Sequence, residues 1–203
     1  MDILNKFNLS GKTALVTGSN TGSGQAIAIG LAEAGADIIG TSKTNTINGG
    51  DTEQQIKALR RKFSGYVVDI SNRDGLYYFI SEVKTSHSVD ILVNNAGMIL
   101  RKPLAEHPDD YWDMVMAVNL DAQFILAREF GKDMISKSSG KIIFTCSLLS
   151  FQGGINVPGY TASKSAIAGL VKAFSNEWAP MGINVNGIAP GYVVTNNTEA
   201  LRD

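Results

Sequence analysis

The sequence predicts a doubly wound α/β fold, a parallel sheet covered by helices on both faces in three layers. Three observations carry this. Short β-branched runs alternate along the chain with longer stretches of helical character. The strand runs are apolar, as strands buried on both faces of a sheet must be. A glycine cluster, TGSNTGSG at 17–24, follows the first strand run and opens the first helix, a place where α/β folds bind anions.

The elements follow in order. Residues 13–17 (TALVT) read as the first strand and 25–34, rich in Ala, Ile and Leu, as the first helix. Residues 37–41 form the second strand. A Gly49-Gly50 loop then leads toward a charged helix over 52–62. Brief apolar runs at 66–69 and 90–93 flank a helix over 73–84. Two helices are expected near 108–116 and 120–136, a strand at 141–146, a long helix from Tyr160 to Trp178, and a sixth strand at 183–188. No internal repeat, low-complexity tract or linker divides the chain, so a single domain over 1–203 is expected.

Composition narrows the function. A chain of 203 residues, 44% hydrophobic and 18% charged, can bury a real core. The formal net charge of −1 gives no broad attraction to nucleic acid or an anionic membrane. The run Arg60-Arg61-Lys62 reads as a helix end, where cations meet the dipole. One cysteine, Cys146, excludes an internal disulfide framework and fits a reducing cytoplasm, the expected location. No run reaches the roughly 18 apolar residues of a membrane span. The opening MDILNKFNLSGK lacks the apolar run of a signal peptide. His87 and His107 are far apart and, with a single cysteine, make no metal-ligand cluster.

Ligands of such sheets bind beyond the carboxyl ends of the strands. Gly18, Gly22 and Gly24 meet that condition with GxxxGxG spacing. They allow a tight turn and a close backbone approach to a pyrophosphate at a helix N-terminus, a Rossmann-like dinucleotide site. After the second strand the chain runs Gly40-Thr41-Ser42-Lys43. The carboxylate that takes the ribose 2′-OH of NAD is absent there. Lys43 is placed to meet the 2′-phosphate of NADP, or equally to be a solvated loop charge, so NAD and NADP both stay open. Asp69 closes the third strand run, where it can accept from an adenine amino group or cap the next helix in competition with Ser71. Farther on, GYTASKSAIAGL at 159–170 puts Tyr160 and Lys164 on one helical face. The pair is either a half-buried ring beside a solvated charge or, if the ammonium favours phenolate, a phenol lowered from its ordinary value near about 10 toward acid–base work.

Further pieces align with these. NNAG (94–97) follows the fourth strand, Asn119 sits in MAVNL, Ser147 follows the fifth strand, and Pro190-Gly191 follow the sixth. Together with the glycine loop and the Tyr160/Lys164 pair, in this order and spacing, they resemble the short-chain dehydrogenase/reductase family over nearly the whole chain. The resemblance implies hydride transfer between NAD or NADP and a secondary alcohol or ketone. Tyr160 is implied as the general acid and base, with Lys164 tuning it and holding the nicotinamide ribose. Ser147 is implied to bond the substrate oxygen, and Asn119 to support a water relay behind Lys164. Plainer roles stand beside these: Ser147 as a turn cap, Asn119 as a satisfied buried amide. Implied cofactor contacts are Asn20 and Ser23 in the glycine loop, then Ser42, Lys43, Asp69 and Ile70 on the adenosine side. The NNAG segment, chiefly Asn95, Ala96 and Gly97, is implied as a wall. Pro190, Gly191, Val193 and Thr195 are implied around the nicotinamide carboxamide.

The runs FQGG (151–154) and TNNT (195–198) resemble a branch of the family acting on acidic sugars of the deoxygluconate kind. On that reading Gln152 and Asn156 line the substrate side with Ser147 and Tyr160. Arg101 is a natural carboxylate partner, or simply a surface arginine. Two departures stand out. Ser23 occupies a place where these loops often carry a bulkier apolar residue. Family members also run longer, so the usual C-terminal strand and part of a subunit interface are expected to be missing. That shortening makes a non-catalytic dinucleotide binder the alternative reading. A nucleotide-sugar epimerase or dehydratase shares the glycine loop and YxxxK, but its larger substrate domain does not fit this length. The resemblance also implies a homotetramer or dimer through the helices near 108–136 and 158–178.

Overall fold

Alternate residues of β1 (Thr13–Val16) feed two separate cores. Ala14 and Val16 enter one and Leu15 the other, all three fully buried. That alternation is the geometry of a strand covered on both faces. The computed structural model describes residues 3–193. Among them six parallel strands lie in the order β3-β2-β1-β4-β5-β6. The others are β2 (Asp37–Ser42), β3 (Phe63–Val67), β4 (Ile91–Asn94), β5 (Gly140–Thr145) and β6 (Ile183–Ile188).

Helices α1 (Gly22–Glu33) and α2 (Asp51–Ala58) cover one face, packing Ala28, Ala32 and Ile56 with Ala14, Val16, Ile38 and Val93. On α1 the buried stripe is Gly24, Ala28 and Ala32. Small residues every fourth position let this helix lie close to the sheet. The other face carries α3 (Arg73–Ser86), α5 (Ala122–Ser136) and α6 (Pro158–Trp178). Their Phe79, Val83, Leu126, Phe130, Ile167 and Trp178 pack with Leu15, Leu92, Ile142 and Phe144. The result is the three-layer α/β/α arrangement the sequence predicts. No helix among the described residues is long and apolar enough to cross a membrane.

The structure departs from these expectations at several boundaries. The third strand begins at Phe63, not Tyr66, because pairing of Phe63 through Val67 with β2 makes it a strand despite Ser64 and Gly65. The preceding helix ends at Ala58, and Arg60 turns the chain with a left-handed φ of 58°. The cap of α3 is neither Asp69 nor Ser71 but Asn72, whose side chain accepts from the Gly75 N–H at 3.0 Å. The two helices expected near 108–136 are one continuous stretch. In it α4 (Asp109–Met116) passes through a π-turn, Ala117–Asp121, into α5. Wide turns of this kind inside α-helices often mark functional sites.

Candidate active site

The strand order reverses direction between β1 and β4, and there the loops after the two strands part. A cleft of about 590 Å³ opens at this point, within the size range of small-molecule sites. Gly18, Gly22 and Gly24 form its floor with Asn20 and Ser23. Gly18 and Gly22 hold left-handed φ values of 64° and 58°. Gly24 faces a different constraint: a Cβ there would lie 2.1 Å from the Gly18 carbonyl oxygen. Backbone this tight against a helix N-terminus fits a dinucleotide pyrophosphate.

Ser42, Lys43, Asp69 and Ile70 line one end of the cleft. Lys43, expected either to meet a phosphate or to stand in solvent, pairs with Asp69 at 2.7 Å. Asp69 also accepts from the Ser71 N–H at 3.0 Å and the Ser71 hydroxyl at 2.6 Å. Burial raises the Asp69 carboxyl, but the Lys43 and Ser71 bonds outweigh it and hold the group below its ordinary range. Asn95, Ala96 and Gly97 form the opposite wall, while Asn94 is buried beneath them. Pro190, Gly191 and Val193 also line the cleft; Thr195 lies outside the described residues.

Ser147, Tyr160 and Lys164 meet at the other end. Pro158 opens α6, a favoured first helical residue, and sets Tyr160 and Lys164 on the face toward the cleft. Lys164 is 2% exposed, and its Nζ donates to the Thr145 carbonyl at 2.6 Å, 5.7 Å from the Tyr160 ring centroid. Burial lowers Lys164 to about 8. The tyrosine corrects the expectation of a phenol lowered by Lys164. Burial pushes the Tyr160 phenol up, opposed by the Ser147 hydrogen bond and by the charge of Arg101. Desolvation disfavours phenolate and ammonium alike, and the lysine spends its hydrogen bond on Thr145.

Of the two roles considered for Ser147, the turn cap is seen directly. Its Oγ accepts from the Leu149 N–H at 3.1 Å, capping a short turn, and the residue lines the cleft with Tyr160. Asn119 is fully buried in the π-turn. Its Oδ1 accepts from the Met98 N–H at 2.9 Å, and its Nδ2 donates to the Met98 carbonyl at 2.9 Å and to Ser163 Oγ at 3.2 Å. The amide is therefore fully used, and it clamps the wall segment to α6. Gly97 lies between it and the lysine: a Cβ there would be 3.3 Å from Asn119 Oδ1 and 3.8 Å from Lys164 Nζ.

The expected substrate residues Gln152 and Asn156 are exposed and do not line the cleft. Asn156 turns the chain at φ 62°, and its carbonyl accepts from the Lys102 N–H at 2.9 Å, tying together the two loops that carry Arg101 and Gln152. The wall near Tyr160 is instead apolar, with Met98, Ile99, Met114 and Val118. Sequence reasoning missed these. The four-residue spacing of Met114 and Val118, on the helical stretch that carries Asn119, was the available signal.

An anion-binding glycine turn that shares one cleft with a tyrosine–lysine pair belongs to enzymes that move hydride to and from nicotinamide. The chain matches the short chain dehydrogenase family over residues 12–203 and belongs to it. It is an NAD(P)-dependent oxidoreductase. The chain is 63% identical over 202 residues to the 2-dehydro-3-deoxy-D-gluconate 5-dehydrogenase of Pseudoalteromonas atlantica, covering 99% of this chain and 80% of that protein. A putative 2-deoxy-D-gluconate 3-dehydrogenase from Agrobacterium tumefaciens, solved with bound NADP, aligns at 47% identity and TM-score 0.87 over 98% of this chain and 78% of that one. A gluconate 5-dehydrogenase from Burkholderia cenocepacia, in complex with NADP and tartrate, aligns at 36% identity and TM-score 0.92 over 100% and 79%.

Proposed function

We propose that this chain interconverts a secondary alcohol and a ketone on an acidic sugar such as 2-dehydro-3-deoxy-D-gluconate or 2-deoxy-D-gluconate, within a single domain. One observation carries the chemistry: Ser147, Tyr160 and Lys164 line the same cleft that the glycine loop opens. The relatives support the substrate class, since those quoted above are named for gluconate derivatives.

A nicotinamide held in this cleft would supply the means of hydride transfer. Everything else falls to the chain. The glycine loop, Gly18 to Gly24, would hold the pyrophosphate at the N-terminus of α1. Ser42, Lys43, Asp69 and Ile70 would hold the adenosine half, with Lys43, paired with Asp69 here, the residue that would meet a 2′-phosphate. Asn95, Ala96, Gly97, Pro190, Gly191 and Val193 would hold the nicotinamide half. In the reductive direction Tyr160 donates its proton to the oxygen on which charge develops, and Ser147 Oγ donates to the same oxygen. Lys164, largely charged at neutral pH with its value near 8, offsets the phenolate that remains. Asn119 keeps Met98 against α6, and the apolar wall of Ile99, Met114 and Val118 excludes water. Arg101 acts on the phenol, which supports it as the partner of the substrate carboxylate. Gln152 and Asn156 reach the substrate only if the loop that carries them closes over it. A homodimer or tetramer through 108–136 and 158–178 completes the proposal. The single cysteine supports a reducing, cytoplasmic setting, and the net charge of −1 supports a small-molecule partner rather than nucleic acid or a membrane surface.

The test is reduced-nicotinamide absorbance with NADH and NADPH against a panel of keto-uronates and deoxy-ketogluconates. We expect turnover with an acidic sugar. Tyr160→Phe should keep cofactor binding and lose about 10²–10⁴-fold of that turnover. Equal turnover by the variant would remove Tyr160 from the acid role. Silence across the panel with binding intact would favour a non-catalytic dinucleotide binder.

A further inference from the structure

Gln123 lies in the first turn of α5, fully buried, beside the core residues Ala122, Ile125 and Leu126. Its Nε2 donates to the Ala96 carbonyl at 2.9 Å. Its Oε1, also buried, has no hydrogen-bond partner among the described residues. A buried amide with one end unmet weakens a core. A methionine or leucine would fill the same space without that cost, so packing does not account for the residue.

Its one bond falls on a critical piece of backbone. Ala96 lines the cleft, and its N–H donates to Thr17 Oγ1 at 2.9 Å. On its other side it abuts the glycine loop: a Cβ on Gly18 would lie 3.1 Å from Ala96 Cα. Two residues on, the Met98 carbonyl is taken by Asn119, four residues before Gln123. The two amides grip alternate carbonyls of one extended segment. Thr17 grips it from β1 through the Asn95 and Ala96 N–H groups, each at 2.9 Å. Gly97, between the gripped carbonyls, neighbours Lys164 Nζ. A slack Ala96 would thus disturb both the glycine loop and the lysine.

We propose that Gln123 is a positioning residue, holding the Ala96 carbonyl so that the wall of the cofactor cleft keeps its register against the glycine loop. The inference rests on the dinucleotide reading given above. It predicts that stability and cofactor affinity respond in different directions.

The experiment compares Gln123→Met, equal in length but unable to donate, with wild-type protein. Thermal unfolding and fluorescence titration with NADPH and NADH are run on both. The unfolding midpoint of the variant should stay or rise. Its dissociation constant for the nucleotide should increase roughly five- to tenfold, the effect of one hydrogen bond. In steady-state assays the cofactor KM should rise by the same factor, with kcat held within about twofold. A variant that fails to fold, or loses several degrees while binding nucleotide as the wild type does, makes Gln123 structural and overturns the inference. Equal affinity at equal stability overturns it too. Wild-type protein that binds neither nucleotide would instead sink the functional reading, and this inference with it.

Discussion

Lys164 and Tyr160 sit in the same dry end of the cleft, and each pays for its burial in a different protonation state. Lys164 titrates near 8, against an ordinary 10.5, because burial disfavours its charge. The unfolded chain therefore binds this proton more tightly than the folded chain does. Below pH 8 the folded state carries the full cost of the buried ammonium; that cost fades as the pH rises toward 10.5. Replacing the lysine with methionine removes the pH-dependent cost. The stability difference, variant minus wild type, should be largest near pH 7 and shrink by on the order of 1–3 kcal/mol toward pH 10. Urea denaturation of both proteins at the two pH values measures it. A difference that stays constant would mean that the lysine is not held at a lowered value. The spacing of this pair was legible in the sequence because residues four apart share a helix face whatever else the fold does. The partners were not legible. That Lys164 bonds Thr145, that Lys43 pairs with Asp69, and that Arg101 rather than Lys164 opposes the burial of Tyr160 all depend on which loops the sheet brings together.

Helix α1 tests the element scale, because Gly24, which with Gly22 belongs to the site, can be compared with Gly30, which does not. Gly24 lies under the phosphate loop, where a Cβ would meet the Gly18 carbonyl oxygen at 2.1 Å and Asn95 Nδ2 at 2.5 Å. Gly30, farther along the same helix, has nothing within 4 Å of its would-be Cβ. Gly30→Ala should stabilise the protein by about 0.5–1 kcal/mol, since alanine loses less backbone entropy in a helix, and should leave nucleotide binding intact. Gly24→Ala should lower the unfolding midpoint and abolish binding. Thermal unfolding with and without NADPH distinguishes them, and a Gly24→Ala variant that still bound nucleotide would disprove the close packing. Most elements were legible for a related reason: β1, β2 and β6 are apolar or β-branched runs whose local pattern agrees with the fold. β3 was displaced because Ser64 and Gly65 carry no strand signal, and only pairing with β2 makes them one. The π-turn was invisible because AVNLD is helical by local preference. The extra residue in that turn accompanies a fixed position for Asn119 against Met98 and Ser163.

At the scale of the whole molecule, the cleft joins two half-sheets. Strands β1 to β3 contribute the glycine loop, Ser42, Lys43 and Asp69, while β4 to β6 contribute the Ala96 wall, Ser147 and the segment from Pro190. Beyond the β1–β4 ladder, the halves meet at this opening where Thr17 accepts from the Asn95 and Ala96 N–H groups and Asn95 Nδ2 donates to the Thr17 and Gly18 carbonyls. A dinucleotide spanning the cleft bonds to both, and only the folded chain presents both. Binding then stabilises the fold by mass action, about 2.7 kcal/mol when the ligand stands at 100 times its dissociation constant. For a chain of this size that corresponds to roughly 2–4 °C per kcal/mol. NADPH or NADH at saturating concentration should therefore raise the unfolding midpoint by several degrees, and adenosine alone, touching one half, by less. Lys43→Ala assigns the adenosine end. A lysine that meets the 2′-phosphate makes the NADPH shift fall while the NADH shift holds. One that serves only to orient Asp69 makes both fall together. A midpoint unmoved by either nucleotide would mean that the two half-sheets do not share a dinucleotide, and the reading of the cleft would fail at its largest scale.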